Sequence, residues 1–525
     1  MKRFLGAVGI IATVVLVAAC GSDTQTSAVA TSTARGTLVE NPPLRIASLD
    51  AASFQAQLAS SAQGQQLLQV TNNPSCGVDF YYLKFYTVGA ANEATQSSGA
   101  LMVPTGAAPA CSGPRPIVLY AHSTWTDKTS NIADITNLSN TEGALIAAMF
   151  AAQGYIVVAP NYAGYDGSTL GYHPFLNASQ QSGEMMDILE AARTALPKTF
   201  SASTTDNGQL FVTGYSEGGF VAMATQRALQ AAGATVTAAA PMSGPYALEA
   251  FADAIFYGNV DLSSTVFAPL LSASYQHAYG NIYAATTDIY STAYATHIDS
   301  LLPNATPINT LFAQGLLPQT ALFNISTPTI NIPNEPQQSA ALTQQLSVPS
   351  NPLFALGFGT PGLITNDYRV SYVLDAATNP DGATPPQTTG TPLAAAEPTQ
   401  TLRKALYLND MRNGAWGPTE PTLLCGGDQD PTVFFLNTQT MQSFWSGMPQ
   451  GAYVTVLDVN GSPAGPFAAI QAGFQASQVS LLQFYESTAG GGLSAPAAQQ
   501  QLVANYHINV APFCALAARS FFSQF

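Results

Sequence analysis

Charge is what this sequence has least of. Lysine and arginine number 15, aspartate and glutamate 30 and histidine 5 in 525 residues, a formal net charge of −15. A field of that sign repels phosphate backbones, so nucleic acid is not expected as a partner. There are only 5 cysteines, and neither Cys-x-x-Cys nor His-Glu-x-x-His occurs, so no zinc site is expected. After residue 20 no apolar run is long enough to cross a bilayer. No internal repeat occurs. What is abundant is apolar and aromatic material, 47% and 10% of the residues, which excludes a disordered chain. That length supports a large core, as one big domain with an insertion or as two or three domains.

The first 19 residues read as an export signal: Lys2 and Arg3, an apolar run over 4–19, then Cys20-Gly21-Ser22. Leu16-Val17-Ala18-Ala19-Cys20 resembles the lipobox of bacterial lipoproteins. The resemblance implies that Cys20 is lipidated and becomes the first residue of a membrane-anchored protein facing the periplasm or the cell exterior. An ordinary signal cleaved near Ala19 is the alternative. Residues 20–43, rich in Ser, Thr, Ala and Gly, are expected to form a flexible tether.

Four cysteines remain, Cys76, Cys111, Cys425 and Cys514. An even number in an exported chain suggests disulfides, with three connectivities open. Cys76 precedes a strand predicted over 78–88 and Cys111 follows one predicted over 100–104; in a hairpin those ends are neighbours. Cys425 and Cys514 then pair by elimination. Four buried thiols is the alternative.

Over 116–246 short apolar strands alternate with helices. Strands are predicted at 116–121, 155–160, 210–214 and 235–241, and helices at 142–153 (Thr141 as N-cap), 182–196 and 220–232. Continuous apolar strands separated by helices indicate a parallel sheet covered on both faces. The alternation stops at 247. Residues 247–400 hold one basic residue, Arg369, and many Pro, Thr, Ser, Asn and Gln. They are too long for a loop and too apolar for a linker, so a cap inserted between strands is expected. The pattern resumes over 401–525, with a helix at 402–411, strands at 421–425 and 453–459, and a closing helix at 511–522. The first part of the core is then 44–246.

The chemistry concentrates at Gly214-Tyr215-Ser216-Glu217-Gly218-Gly219. This G-x-S-x-G follows a buried strand and precedes a helix, where a sharp turn lifts the serine clear of the sheet. A serine hydroxyl needs a base to take its proton. Of His122, His173, His277, His297 and His507, only His507 lies after every sheet strand. A carboxylate must hold that histidine's tautomer. Asp428 and Asp430 follow the strand at 421–425 and both qualify.

These stretches, with Gly154-Tyr155-Ile156-Val157-Val158-Ala159-Pro160-Asn161-Tyr162 and Leu424 to Val433, resemble the α/β-hydrolase superfamily. The likeness covers roughly 116–246 and 402–525 and is nearest to secreted serine lipases and esterases with a large inserted cap. It implies an α/β-hydrolase fold, a mostly parallel sheet with helices on both faces and a mainly helical cap. It also implies a Ser216–His507–Asp430 triad, because G-x-x-D-x-x-V after this strand matches Gly427, Asp430 and Val433. Ser216 would attack an ester carbonyl, and water activated by His507 would release the acyl-enzyme, with no metal or organic cofactor. The oxyanion would be met by the Glu217 N–H and by the Ser123 or Thr124 N–H, although relatives commonly carry His-Gly where this chain has His122-Ser123. The expected substrate is a small or lipid-like ester with an apolar or aromatic group. A serine peptidase, a polyester depolymerase and a non-catalytic binding lipoprotein are the alternatives.

Overall fold

Short apolar strands lose their polar backbone to the interior unless they pair, and here they pair into one large sheet. The computed structural model describes residues 34–137, 140–383 and 391–525. The export signal and Cys20 lie outside them. In chain order the strands are β1 (Leu44–Leu49), β2 (Gly77–Val88), β3 (Ala94–Thr105), β4 (Gly113–Ala121), β5 (Ile156–Pro160), β6 (Thr204–Tyr215) and β7 (Ala238–Met242). Two-residue strands β8 (Phe323–Asn324) and β9 (Phe358–Gly359) pair by themselves; β10 (Thr422–Gly426) and β11 (Val454–Asp458) return to the main sheet. Its order is β1-β2-β3-β5-β4-β6-β7-β10-β11. From β5 to β11 every pairing is parallel, while β1, β2 and β3 add an antiparallel edge.

Side chains alternate across each strand and feed two cores. Ile117 and Leu119 of β4 join the core that holds Met185 and Ile188 of α4 (Ala178–Ala195) and Phe220 of α5 (Glu217–Ala231). Val118 and Tyr120 join the core on the other face. That core holds Phe54 of α1 (Ala51–Ala59), Leu67 of α2 (Ala62–Thr71), Ile146 of α3 (Thr141–Met149) and Val510 of α16 (Tyr506–Phe522). Burying one such side chain is worth about 1.5–3 kcal/mol.

Between β7 and β10 the chain leaves the sheet. It forms α6 (Leu248–Phe256), α7 (Ser264–Tyr279), α8 (Ile308–Ala313), α9 (Pro336–Gln345), α10 (Pro352–Ala355) and α11 (Asn366–Thr378) before returning through α12 (Thr401–Asn409). This is the helical insertion expected from the sequence. Beyond it come α13 (Leu436–Ser446), α14 (Ala468–Glu486), α15 (Ala495–Ala504) and then α16. Insertion and core are joined by buried charges. Arg403 of α12 meets Glu249 and Asp253 of α6 and Asp375 of α11 at 3.1, 2.8 and 2.9 Å. Arg412 meets Asp381 and Asp410, both at 2.7 Å.

Both expected disulfides are present, Cys76–Cys111 and Cys425–Cys514, with Cα separations of 5.3 and 5.6 Å. Such bonds persist in oxidising compartments outside the cytosol. Among the described residues no helix is long and apolar enough to cross a membrane.

Three local expectations need correction. The tether does not run to residue 43: Gly36 and Val39 N–H donate to the Tyr86 and Lys84 carbonyls, so the chain is already laid along β2. The N-cap of α3 is Asn140, not Thr141, because its side chain accepts from the Gly143 N–H at 3.0 Å. The closing helix predicted at 511–522 starts five residues earlier, as α16, and takes His507 into its first turn.

Candidate active site

The turn between β6 and α5 bends the backbone out of ordinary geometry. Ser216 has φ 60° and ψ −122°, a conformation that costs on the order of 1–3 kcal/mol in a non-glycine residue and persists only when its surroundings enforce it. They do. The Ser216 N–H donates to the Met242 carbonyl at 3.0 Å, and its own carbonyl accepts from the Gly219 N–H at 2.8 Å. A Cβ at Gly218 would fall 2.0 Å from the Ala121 carbonyl oxygen, so only glycine lets the turn sit against β4. Here the glycines of G-x-S-x-G are steric requirements.

His507 and Asp430, 77 residues apart in sequence, come together: His507 Nδ1 lies 2.6 Å from Asp430 Oδ2. The other carboxylate oxygen accepts from the Thr432 and Val433 N–H groups at 2.9 and 3.1 Å. Both residues are buried. Asp428, the alternative acid, is exposed and accepts from Asn460 Nδ2 at 2.8 Å instead. His507 Nε2 is buried and has no hydrogen-bond partner among the described residues. With Nδ1 held by a carboxylate, Nε2 is the nitrogen left to exchange a proton. Tyr215, beside Ser216, donates its hydroxyl to the His507 carbonyl, which ties the serine turn to α16. The Cys425–Cys514 bridge fastens β10, five residues before Asp430, to α16, seven residues after His507.

Ser216 opens on a cavity of about 100 Å³. Its wall is almost wholly apolar and is drawn from both core and insertion: Phe175, Leu248, Phe251, Phe267 and Leu271 among others. Two acids, Glu217 and Asp261, line it, and burial pushes the Asp261 carboxyl up to about 7. It is satisfied locally by the Ser263 N–H at 2.8 Å and the Ser264 hydroxyl.

The Glu217 N–H begins α5, at a helix end where backbone donors have no partner within the helix. The second expected donor needs correction. The Ser123 N–H is bonded to Glu142 Oε1 at 2.9 Å, and the Ser123 hydroxyl to Glu142 Oε2 at 2.6 Å. That backbone donor is consumed by a carboxylate and is not available to an oxyanion. Thr124, the next residue, lines the cavity. His122 braces this loop: its ring nitrogens face the Ser123 and Asn161 carbonyls at 2.6 and 3.1 Å, and the ring stacks on Trp125 at 3.7 Å. Burial pushes its pKa down.

The burial of the Glu217 side chain was not expected from the sequence. Oε1 lies 2.6 Å from His173 Nε2 and 2.6 Å from Gln181 Nε2, and the side chain is wholly removed from solvent. A charged residue inside an otherwise small and apolar turn was the available signal.

Known proteins supply the frame for this geometry. The family model of the prolyl oligopeptidase family matches residues 143–278. No curated protein matches the sequence. Among solved structures, the rice cell wall degrading esterase LipA from Xanthomonas oryzae is 24% identical; the match covers 90% of this chain and 97% of that one, with a TM-score of 0.60. Its ligand-bound form gives 23%, 90%, 97% and 0.61. An inferred hydrolase from Legionella pneumophila is 16% identical, covering 93% and 97%, with a TM-score of 0.58. By its likeness to these solved structures the chain has an α/β-hydrolase fold, and over 143–278 it is similar to the prolyl oligopeptidase family.

Proposed function

We infer that the chain hydrolyses carboxylic esters through Ser216, His507 and Asp430. The observation that carries this reading is the 2.6 Å contact between His507 Nδ1 and Asp430 Oδ2. It leaves Nε2 unpartnered, and the Tyr215 hydroxyl, from the residue before Ser216, bonds the His507 carbonyl. In this mechanism Nε2 takes the Ser216 proton as Oγ attacks the carbonyl, and Asp430 stabilises the imidazolium that forms. The oxyanion is met by the Glu217 N–H and, with Ser123 committed to Glu142, by the Thr124 N–H. The proton on Nε2 passes to the leaving alcohol. A water deprotonated by His507 then releases the acid.

The apolar cavity beside Ser216 supports an apolar acyl or aromatic group on the substrate. The likeness to the Xanthomonas oryzae esterase agrees with ester chemistry. A serine peptidase is the second reading, favoured by the match to the prolyl oligopeptidase family over 143–278. Hydrolysis of p-nitrophenyl esters of rising chain length, set against aminoacyl amides, separates the two. Ester turnover that rises with acyl length and negligible amide cleavage is expected; faster amide cleavage would overturn the ester reading.

The same reading includes attachment to a membrane through lipid on Cys20. The two disulfides, which suit an exported chain, support export, and the lipobox-like 16–20 supports the lipid. Incorporation of a labelled fatty acid that is lost in Cys20→Ser is the expected result.

A further inference from the structure

We propose that His173 is a positioning residue for the oxyanion site: it neutralises the Glu217 carboxyl and thereby frees the Glu217 N–H for the substrate. The inference rests on the reading of Ser216 as nucleophile.

Glu217 supplies both a backbone donor and a side chain to the same corner of the molecule. Its N–H stands at the start of α5, where the helix dipole attracts negative charge. Its own carboxyl is negative charge within a few bonds of that spot. An unneutralised carboxylate there opposes an oxyanion in two ways, by repulsion and by competing for the same N–H groups. The side chains of His173 and Glu217 are both fully buried, so water does not screen the charge.

Neutralisation falls to His173. Glu217 Oε1 meets His173 Nε2 and Gln181 Nε2, both at 2.6 Å. Oε2 is buried with no hydrogen-bond partner among the described residues, and no arginine or lysine pairs with this carboxyl among them. His173 Nδ1 lies 3.0 Å from the Ala163 carbonyl, which has no proton to give, so Nδ1 carries one. Nε2 then either accepts a proton from the carboxylic acid or donates one as imidazolium. The pair is neutral as a unit in both cases. No other ionisable group around it can replace His173 in this role. Glu142 and Glu184 are acids, Tyr162 and Tyr165 hold their protons because burial drives their pKa up, and both His122 ring nitrogens are taken up by the Ser123 and Asn161 carbonyls.

The test is a rescue. His173→Gln keeps a polar side chain but leaves Glu217 as a lone buried acid. Its kcat on a p-nitrophenyl ester is expected to fall about tenfold or more, with KM within about threefold of wild type. Adding Glu217→Gln to this variant removes the charge and should return most of the lost kcat. Thermal melts establish that both variants are folded. Wild-type kcat in His173→Gln, or a folded double variant no faster than His173→Gln, would overturn the proposal. If His173→Gln does not fold, the double variant His173→Gln/Glu217→Gln decides: with the charge removed His173 is dispensable, so a folded double variant with kcat within about threefold of wild type supports the proposal, and one slowed tenfold or more overturns it. Ser216→Ala is run beside them. Turnover surviving in Ser216→Ala would remove the nucleophile reading itself, whereas a dead Ser216→Ala beside a fully active His173→Gln would remove this inference alone.

Discussion

Asp430 Oδ2 and His507 Nδ1 are 2.6 Å apart, and the segments that carry them are also joined covalently by Cys425–Cys514. The acid lies in the loop after β10 and the histidine in the first turn of α16, so neither element alone sets the distance between them. The bridge and the Tyr215 hydroxyl bond to the His507 carbonyl hold α16 against the end of the sheet.

Ser216→Ala and His507→Ala should each lower kcat on a p-nitrophenyl ester by on the order of 10⁴-fold or more, with the fold retained. Neither side chain contributes much to the core. Steady-state kinetics beside a thermal melt checks both halves. Near-wild-type kcat in His507→Ala would remove it as the base.

Asp430→Asn should be far more damaging than Asp428→Asn. Asparagine preserves shape, but its amide favours the wrong histidine tautomer, and the corresponding change in a serine protease triad costs about 10⁴ in kcat. Asp428 is exposed and bonded to Asn460, so its amide variant should stay near wild type. The reverse order of damage would move the acid to Asp428.

The two disulfides should separate stability from activity. Cys76–Cys111 spans 35 residues and Cys425–Cys514 spans 89; in the chain-entropy model these loops are worth about 4 and about 5 kcal/mol. Cysteine-to-serine pairs should therefore both lower Tm. Only the Cys425/Cys514 variant should also lose kcat well below its Tm, since a small displacement of a catalytic group costs on the order of 100-fold. Full kcat in that variant would make the bridge a staple only.

Stability should fall with rising pH through the charge cluster under the insertion. Five acids, Glu249, Asp253, Asp375, Asp381 and Asp410, share two arginines, Arg403 and Arg412. Burial pushes Glu249 up to about 9 from an ordinary 4.5, more than Arg403 pulls it down. The folded chain therefore holds this proton more tightly than the unfolded chain. Its stabilising contribution is complete below about pH 4.5 and is lost as pH rises toward 9. Glu249→Gln should flatten the decline of Tm over this range; a slope identical to wild type would show that Glu249 does not titrate there.

Local signals made much of the architecture legible. The apolar strands at 116–121, 155–160 and 210–214 and the strand–turn–helix around Ser216 were readable because burial on both faces demands unbroken apolar runs, and a sharp turn demands glycine. β1 was not legible, because it is a half-exposed edge strand without clean alternation. Nor were α1 and α2, whose Ala- and Gln-rich faces carry little periodic signal.

The sequence by itself determined the sheet, the serine turn and, through chain order, the single histidine that lies beyond all the strands. Those are properties of short windows, where side-chain size and backbone sterics act between near neighbours. Tertiary structure alone decided that the Ser123 N–H is spent on Glu142 and that the Glu217 side chain is buried against His173 and Gln181. Each is a hydrogen bond between segments separated by 19 to 44 residues. Composition and periodicity carry no information about such pairs: a polar side chain in a turn reads the same whether its partner is water or a buried group brought in by the fold.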